Sequence, residues 1–245
     1  MKNWQALLLI VVAYIAMHVA SILMQIPFAL YFMKDTTLSD LDIQFHTVAW
    51  SLFTANLIAA IVFYILIRRR KNFFKVFKGK TASFGMTILW GIIGFILALV
   101  GQMVAGMIEM VAFGTEPGSD NTNLLGEIAQ TAPIIIISIV LFAPLLEEIV
   151  FRRAIFGGIY TKTNFFIAAI ISAFLFAIVH GELEHTLVYM GPAFAFSFIY
   201  YKTNRILAPI IGHLLMNAFV VIVQLNQDKI EEWQNLQQSL IMFFQ

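Results

Sequence analysis

The chain has 245 residues, of which 60% are hydrophobic and 12% charged, and its formal net charge is +1. Soluble domains carry about 25% charged residues, so this composition excludes an ordinary soluble protein and indicates a polytopic membrane protein embedded in the lipid bilayer. The near-neutral charge points to no nucleic-acid partner, and we expect none. The lack of cysteine excludes disulfides, a thiol nucleophile and thiolate metal sites.

Hydrophobic segments long enough, or nearly long enough, to cross a bilayer recur along the chain. They cover residues 4–33, 44–67, 83–113, 127–158, 165–181, 186–202 and 205–226. The fifth and sixth are the shortest, and we expect them to be buried among the others. The sequence therefore predicts an all-α fold, a single integral membrane domain over 1–245 with about seven transmembrane helices, or alternatively eight. Residues 228–245 predict an amphipathic helix on the membrane surface.

Charged loops predict the orientation of these helices. Residues 68–80 include seven basic side chains and no acidic one, so this loop is expected in the cytoplasm, together with the N-terminus. The 34–43 and 114–127 loops are acidic and are expected outside. With this topology, Glu147, His180 and His213 lie roughly 13–22 Å from the cytoplasmic ends of their helices, at 1.5 Å per residue. Polar residues of three helices thus reach one layer of the membrane, which predicts a shared internal site.

The first polar motif is Glu147-Glu148-x-x-x-Arg152, in an apolar run. Charged residues at this depth are costly and mark functional sites. Glu148 and Arg152 have the spacing and order of a helical ion pair, which makes both tolerable in a low dielectric. Glu147 lies about 100° round the helix from Glu148 and lacks a local partner, so it is a candidate general base toward water. Alternatively, both glutamates share Arg152 as a structural clamp.

The other two motifs place polar groups on single helical faces. They are Phe176-x-x-x-His180 and His213-x-x-x-Asn217. A histidine beside a carboxylate can orient it, share its proton or bind water, and a histidine with an asparagine amide can donate to an oxyanion. Taken singly, such histidines are more often packing residues. The zinc signature H-E-x-x-H and the serine hydrolase signature G-x-S-x-G do not occur.

The three motifs, in this order on successive hydrophobic helices, resemble the CAAX protease and bacteriocin-processing (CPBP or Abi) family of intramembrane glutamic endopeptidases. The resemblance covers residues 127–220, the predicted protease core, whereas the first three spans match only in hydropathy. It implies a helical bundle with a polar cavity open to the cytoplasm. It further implies that Glu147 and His180 activate water, that His213 and Asn217 form the oxyanion site, and that Glu148 and Arg152 form an ion pair. No cofactor or metal is implied.

The predicted function is therefore cleavage of a peptide or membrane-associated precursor, such as a bacteriocin, a pheromone, a leader peptide or a CAAX-type C-terminus. The bacterial cell membrane is the expected location. Two alternatives remain open. One is a non-catalytic membrane scaffold or immunity protein that binds a peptide partner. The other is a zinc-dependent protease with Glu147, His180 and His213 as ligands. The sequence leaves the oligomeric state and the cleaved bond unknown.

Overall fold

The structure is a computed structural model that describes residues 3–243, so Lys2 and the last two residues of the predicted amphipathic segment lie outside it. All regular structure in this range is helical, which confirms the all-α prediction. The helices are α1 (Asn3–Phe32), α2 (Asp40–Ile67), α3 (Phe84–Phe113), α4 (Asp120–Thr131), α5 (Ile134–Tyr160), α6 (Phe165–Ile178), α7 (Thr186–Thr203), α8 (Leu207–Gln224) and α9 (Gln227–Phe243).

Five helices within residues 3–243 are long and apolar enough to cross a membrane, namely α1, α2, α3, α5 and α8. The predicted count of seven spans is therefore not confirmed. The segment at 165–181 forms the 14-residue helix α6, and the segment at 186–202 forms the 18-residue helix α7. Helix α7 is enclosed by α3, α6 and α8. Helix α6 instead exposes one face, including Phe166 and Ile170, so the expected burial of both short segments holds only for α7.

The fourth predicted segment begins too early. Residues 127–131 belong to α4, an amphipathic helix that occupies most of the predicted acidic loop. The helix ends at Ala132, whose φ of −127° and ψ of 77° are not helical. A residue before proline is disfavoured in the α conformation, and Pro133 follows. The transmembrane helix α5 therefore starts only at Ile134.

Small residues let α3 approach α7 and α8 closely. A Cβ atom added to Gly191 of α7 would lie 2.6 Å from the carbonyl oxygen of Gly101, and one added to Gly91 would lie 2.7 Å from Ile211 of α8. Such contacts require glycine, because any side chain would separate the helices. Packing of small residues is the usual source of helix association in membranes, where burial from water gives no driving force.

The loop between α2 and α3, residues 68–83, folds across one end of the bundle. Arg153 of α5 donates from Nε to the carbonyl oxygen of Phe73, and the Tyr200 hydroxyl donates to that of Phe74 at 2.8 Å. Asn3 accepts a hydrogen bond of 3.4 Å from Arg70, so the start of α1 lies at the same end. We call this the basic end. Alternating helix directions place α4 at the opposite end, called the α4 end.

Candidate active site

Helix α5 carries the acidic motif in a stretch with widened turns. The backbone is π-helical over Ser138–Phe142 and again over Glu148–Phe156, with Pro144 between the two stretches. The Ala143 N–H donates to the carbonyl of Ser138, five residues back. Proline lacks an N–H and breaks the normal ladder, and π-helical turns often occur at functional sites.

Glu148 and Arg152 lie behind the site, with neither side chain exposed. Arg152 Nε is 3.1 Å from Oε2 of Glu148. The guanidinium carbon lies 4.9 Å from the ring centre of Phe176 and 5.6 Å from that of Phe196. Aromatic faces attract a desolvated cation, so the two rings help to stabilise the guanidinium of Arg152. This gives Phe176, the first residue of its motif, a specific packing partner.

His213 connects both glutamates to α8. Its Nδ1 lies 2.9 Å from Oε1 of Glu148, and its Nε2 lies 3.7 Å from Oε2 of Glu147. The imidazole stacks on Phe196, with ring centres 5.0 Å apart. Because a carboxylate oxygen accepts the bond at Nδ1, this nitrogen carries a proton. Nε2 therefore faces Glu147, and it can donate a hydrogen bond only when the imidazole is cationic.

His180 follows the end of α6 and is fixed through one ring nitrogen. Its Nδ1 lies 2.8 Å from the carbonyl oxygen of Phe176, which can only accept. Nδ1 is therefore the protonated nitrogen, and the neutral imidazole keeps a basic lone pair at Nε2. The ring stacks on Tyr189 at 4.2 Å between centres. This tautomer is the one a general base requires.

Asn217 is partly engaged by the backbone of α5. Its Nδ2 donates to the carbonyl oxygen of Ile139 at 2.8 Å. Ile139 belongs to the first π-helical stretch, so Asn217 supports a carbonyl there. An amide group has two N–H donors, and the second remains for another acceptor.

One cavity of about 520 Å³ joins these side chains. Its lining includes Glu147, Phe176, His180, His213 and Asn217. Glu147 keeps 14% of its side chain exposed, whereas the adjacent Glu148 is fully buried. The structure therefore brings four predicted catalytic residues to a single surface and leaves the ion pair outside it.

Three aromatic residues near the site were missed by the sequence analysis. Phe196 stacks on His213, Tyr189 stacks on His180, and Tyr14 of α1 lines the cavity beside Glu147. Phe196 gives no signal, because a phenylalanine in an apolar helix is indistinguishable from a packing residue. Tyr14 and Tyr189 have hydroxyl groups inside hydrophobic segments, which could have identified them.

The donor set for a metal is not assembled in the described part of the chain. No group of three or more His, Asp or Glu side chains within residues 3–243 is arranged to hold a metal ion. The zinc alternative thus lacks support from the geometry of these residues.

The cavity lies in the half of the bundle nearest the α4 end. It is lined by Asn121, Thr122 and other residues of α4, and it extends along α8 to Gln224. No residue of the 68–83 loop lines it. It reaches the surface at Asn121, which is exposed. The structure places the basic loop and the cavity at opposite ends of the bundle. The basic loop and the cavity therefore cannot both face the cytoplasm, although the sequence predicted that they do.

Comparison with known proteins finds related membrane proteases. Residues 129–219 match the family described as Type II CAAX prenyl endopeptidase Rce1-like. The "Putative membrane peptidase YdiL" of Bacillus subtilis (strain 168) is 43% identical over 194 residues, which are 79% of each chain. The "Membrane-embedded CAAX protease MroQ" of Staphylococcus aureus (strain USA300) is 40% identical over 144 residues, which are 56% of this chain and 58% of that protein.

The "UPF0177 protein YxdF" of Lactococcus lactis subsp. lactis (strain IL1403) is 33% identical over 134 residues, 54% of this chain and 72% of that protein. No solved structure matches the chain. The region of this chain that matches the family contains all three polar motifs and the helices that place them around the cavity. The chain therefore belongs to the Rce1-like CAAX prenyl endopeptidase family of integral membrane proteases.

Proposed function

We propose that this protein is a glutamic-type intramembrane endopeptidase in which Glu147 and His180 activate a water molecule. The observation that carries the proposal is the different environment of two adjacent glutamates. Both carboxylate oxygens of Glu148 are engaged, one by Arg152 and one by His213. Glu147 instead lines the cavity, with its Oε2 3.7 Å from the His213 Nε2. It is thus the carboxylate that a substrate and its water can reach.

The proposed reaction begins when the carboxylate of Glu147, assisted by Nε2 of His180, takes a proton from water. The resulting hydroxide attacks the carbonyl carbon of the peptide bond, and the carbonyl oxygen becomes an oxyanion. The free N–H of Asn217 donates a hydrogen bond to that oxygen, and Nε2 of His213 can do the same in the protonated form of the imidazole. The C–N bond then breaks, and the proton held by the base passes to the leaving nitrogen.

The cavity surface also indicates the class of substrate. Its apolar lining includes Met17, Leu52, Leu125, Ile128 and Val221, and the described lining residues include no lysine or arginine. An acidic side chain of a substrate would lose its hydration there without gaining a cationic partner. The substrate is therefore an apolar stretch of a peptide or membrane-associated precursor that lacks acidic residues next to the cleaved bond.

The relatives and the distribution of charges support a location and an orientation. The relatives described above come from bacteria, which supports the bacterial cell membrane as the site of action. The seven basic residues of 68–80 favour a cytoplasmic basic end, with the N-terminus on the same side. With this orientation, the cavity faces the outer side of the membrane, and substrates enter at the α4 end.

Co-expression tests the function directly. Candidate precursor peptides are produced together with the wild type or with Glu147→Ala, and their products are identified by mass spectrometry. The proposal expects cleavage at an internal peptide bond with the wild type and none with Glu147→Ala. Glu116→Ala, which alters an exposed glutamate in the loop before α4, is the matched control and should cleave normally. Equal cleavage by Glu147→Ala and the wild type would contradict the assignment.

A further inference from the structure

Glu182 holds together the segments that surround His180. Its Oε2 accepts hydrogen bonds from the Tyr189 hydroxyl at 2.5 Å and from the Ser119 hydroxyl at 2.8 Å. Its Oε1 accepts from the backbone N–H of Asn121 at 2.9 Å. One carboxylate therefore joins the loop after α6, the first turn of α7 and the N-terminus of α4. None of the three polar motifs includes this residue.

Two of the groups bound by Glu182 also contact His180. The Tyr189 ring stacks on the imidazole, with centres 4.2 Å apart and planes inclined by 28°. The Asn121 side chain donates from Nδ2 to the backbone carbonyl of His180 at 2.7 Å. His180 is thus held at its ring face and its backbone by partners that both depend on Glu182. Its Nδ1 is held separately, by the carbonyl of Phe176.

We infer that Glu182 is a positioning residue for His180, acting through the ring of Tyr189 and the side chain of Asn121. This inference rests on the proposed function, in which His180 assists Glu147. His180 follows the last turn of α6, and the backbone leaves the helical path at Gly181, whose φ is +79°, so α6 alone does not fix the imidazole. The contacts through Glu182 supply a further constraint to an imidazole that lines the cavity.

The charge of Glu182 suits this role. Burial alone would raise its pKa, but the hydrogen bonds from Asn121, Tyr189 and Ser119 outweigh burial and hold the pKa of Glu182 below its usual range. The carboxylate is therefore ionised at neutral pH, where ionised acceptors form the strongest hydrogen bonds. The nearby Glu184 is exposed, so it provides a matched acidic control.

The same carboxylate links His180 to the cavity entrance. Ser119 caps α4 by accepting from the N–H of Thr122 at 3.1 Å while it donates to Glu182. Asn121 and Thr122 both line the cavity. Loss of Glu182 would therefore release the first turn of α4 as well as Tyr189, and substrate access and the orientation of His180 would change together.

The experiment uses the purified full chain and variants that test the ring of Tyr189 and its hydroxyl group separately. Tyr189→Leu removes the stack, Tyr189→Phe keeps it but loses the bond to Glu182, and Glu182→Gln keeps an accepting oxygen. The substrate probe is a short, internally quenched apolar peptide without Asp or Glu. We expect Glu182→Ala and Tyr189→Leu to lower kcat by up to about a hundredfold, as small misplacements of catalytic groups do. KM should change little in Tyr189→Leu and rise in Glu182→Ala, which also releases the first turn of α4 at the cavity entrance. Tyr189→Phe and Glu182→Gln should retain intermediate rates, and Glu184→Gln should match the wild type.

A second measurement does not depend on proteolysis. Diethyl pyrocarbonate modifies the free nitrogen of an imidazole, and mass spectrometry gives the rate at His180 alone. Glu182→Ala and Tyr189→Leu should change this rate. The rate at His46 of α2, which stacks on Phe32 and takes no part in the network, should not change. A wild-type kcat together with a wild-type rate at His180 in both variants would overturn the inference, whatever their thermal stability.

Glu147→Gln is assayed in parallel to keep the two proposals apart. If Glu147→Gln is inactive while the Glu182 and Tyr189 variants behave as the wild type in both measurements, the positioning role alone is wrong. If Glu147→Gln cleaves the probe normally, the proposed function is wrong, and the modification rate at His180 still decides whether Glu182 positions this residue.

Discussion

His213 and Glu148, 65 residues apart in the chain, form a buried hydrogen bond of 2.9 Å between Nδ1 and Oε1. This bond joins α8 to α5 and uses the carboxylate oxygen that Arg152 leaves free. It also sets the tautomer of His213, because the nitrogen that donates to the carboxylate must carry a proton. Glu148 thus supports the site from behind and leaves the cavity face to Glu147.

Removing either partner of the Glu148–Arg152 pair should destabilise the protein. Glu148→Ala or Arg152→Ala leaves one buried charge uncompensated, which costs roughly 3–5 kcal/mol. Both variants should unfold at lower temperature than the wild type in detergent, as measured by intrinsic fluorescence. The double variant Glu148→Leu/Arg152→Met removes both charges and should recover part of the loss. Single variants as stable as the wild type would show that the pair is not buried.

Glu147→Gln should separate chemistry from folding. The amide keeps the shape of the side chain but cannot take a proton from water, so turnover should fall by at least about a hundredfold, the usual scale for loss of acid–base catalysis. The unfolding temperature should stay near that of the wild type, in contrast to Arg152→Ala. Steady-state cleavage of a peptide probe and a thermal scan on the same preparation give both values. Near-normal turnover would remove Glu147 from the mechanism.

The sequence predicted much of the site because membrane burial makes polar residues conspicuous. Glu147, His180, His213 and Asn217 were identified in this way, and the structure places all four on one cavity. The bond between His213 and Glu148 was not predictable, because it depends on how α8 packs against α5. Phe196 was missed for a related reason, since its partners are known only from the three-dimensional contacts.

The fold, like the site, was predictable from the sequence in part. Hydropathy located the long helices, but it could not separate α4 from α5. The apolar residues on one face of α4 directly precede the apolar residues of α5, so the two helices appear as one hydrophobic segment. Pro133 was the local signal for that break. Hydropathy also overstated α6, whose apolar stretch includes the turn at 179–181. Which end of the bundle holds the cavity depends on packing, and neither charge nor hydropathy encodes it.

Close contact between α3 and α7 should be sensitive to a single methyl group. In Gly191→Ala the new Cβ would lie 2.6 Å from a backbone oxygen of Gly101, which cannot move without the helix. Overpacking of this kind costs typically 1–3 kcal/mol. Gly158→Ala is the control, because its Cβ would meet no atom within 4 Å. The unfolding temperature should be lower than that of the wild type for Gly191→Ala, and unchanged or higher for Gly158→Ala. Equal stability of the two variants would contradict the helix contact.

His213 and Asn217 should contribute to the reaction rate without binding a metal. Loss of one oxyanion donor costs roughly 2.7–4 kcal/mol of the barrier, so His213→Ala and Asn217→Ala should lower kcat with little change in KM. The zinc alternative predicts instead that chelators inactivate the wild type and that His213→Ala loses bound metal. Cleavage assays with and without chelator, together with elemental analysis, decide between them. Stoichiometric zinc that disappears in His213→Ala would favour the metalloprotease.

Labelling from the two sides of the membrane should assign the orientation. The chain has no cysteine, so Lys78→Cys reports on the basic end and Leu124→Cys on the mouth of the cavity in α4. Both positions are exposed. A membrane-impermeant maleimide applied to whole cells should label Leu124→Cys, while the same reagent applied to inverted vesicles should label Lys78→Cys. The expectation rests on the excess of basic residues in 68–80. The reversed pattern would place the cavity on the cytoplasmic side and overturn the charge-based orientation, whereas labelling of both positions from one face would contradict the arrangement of the helices.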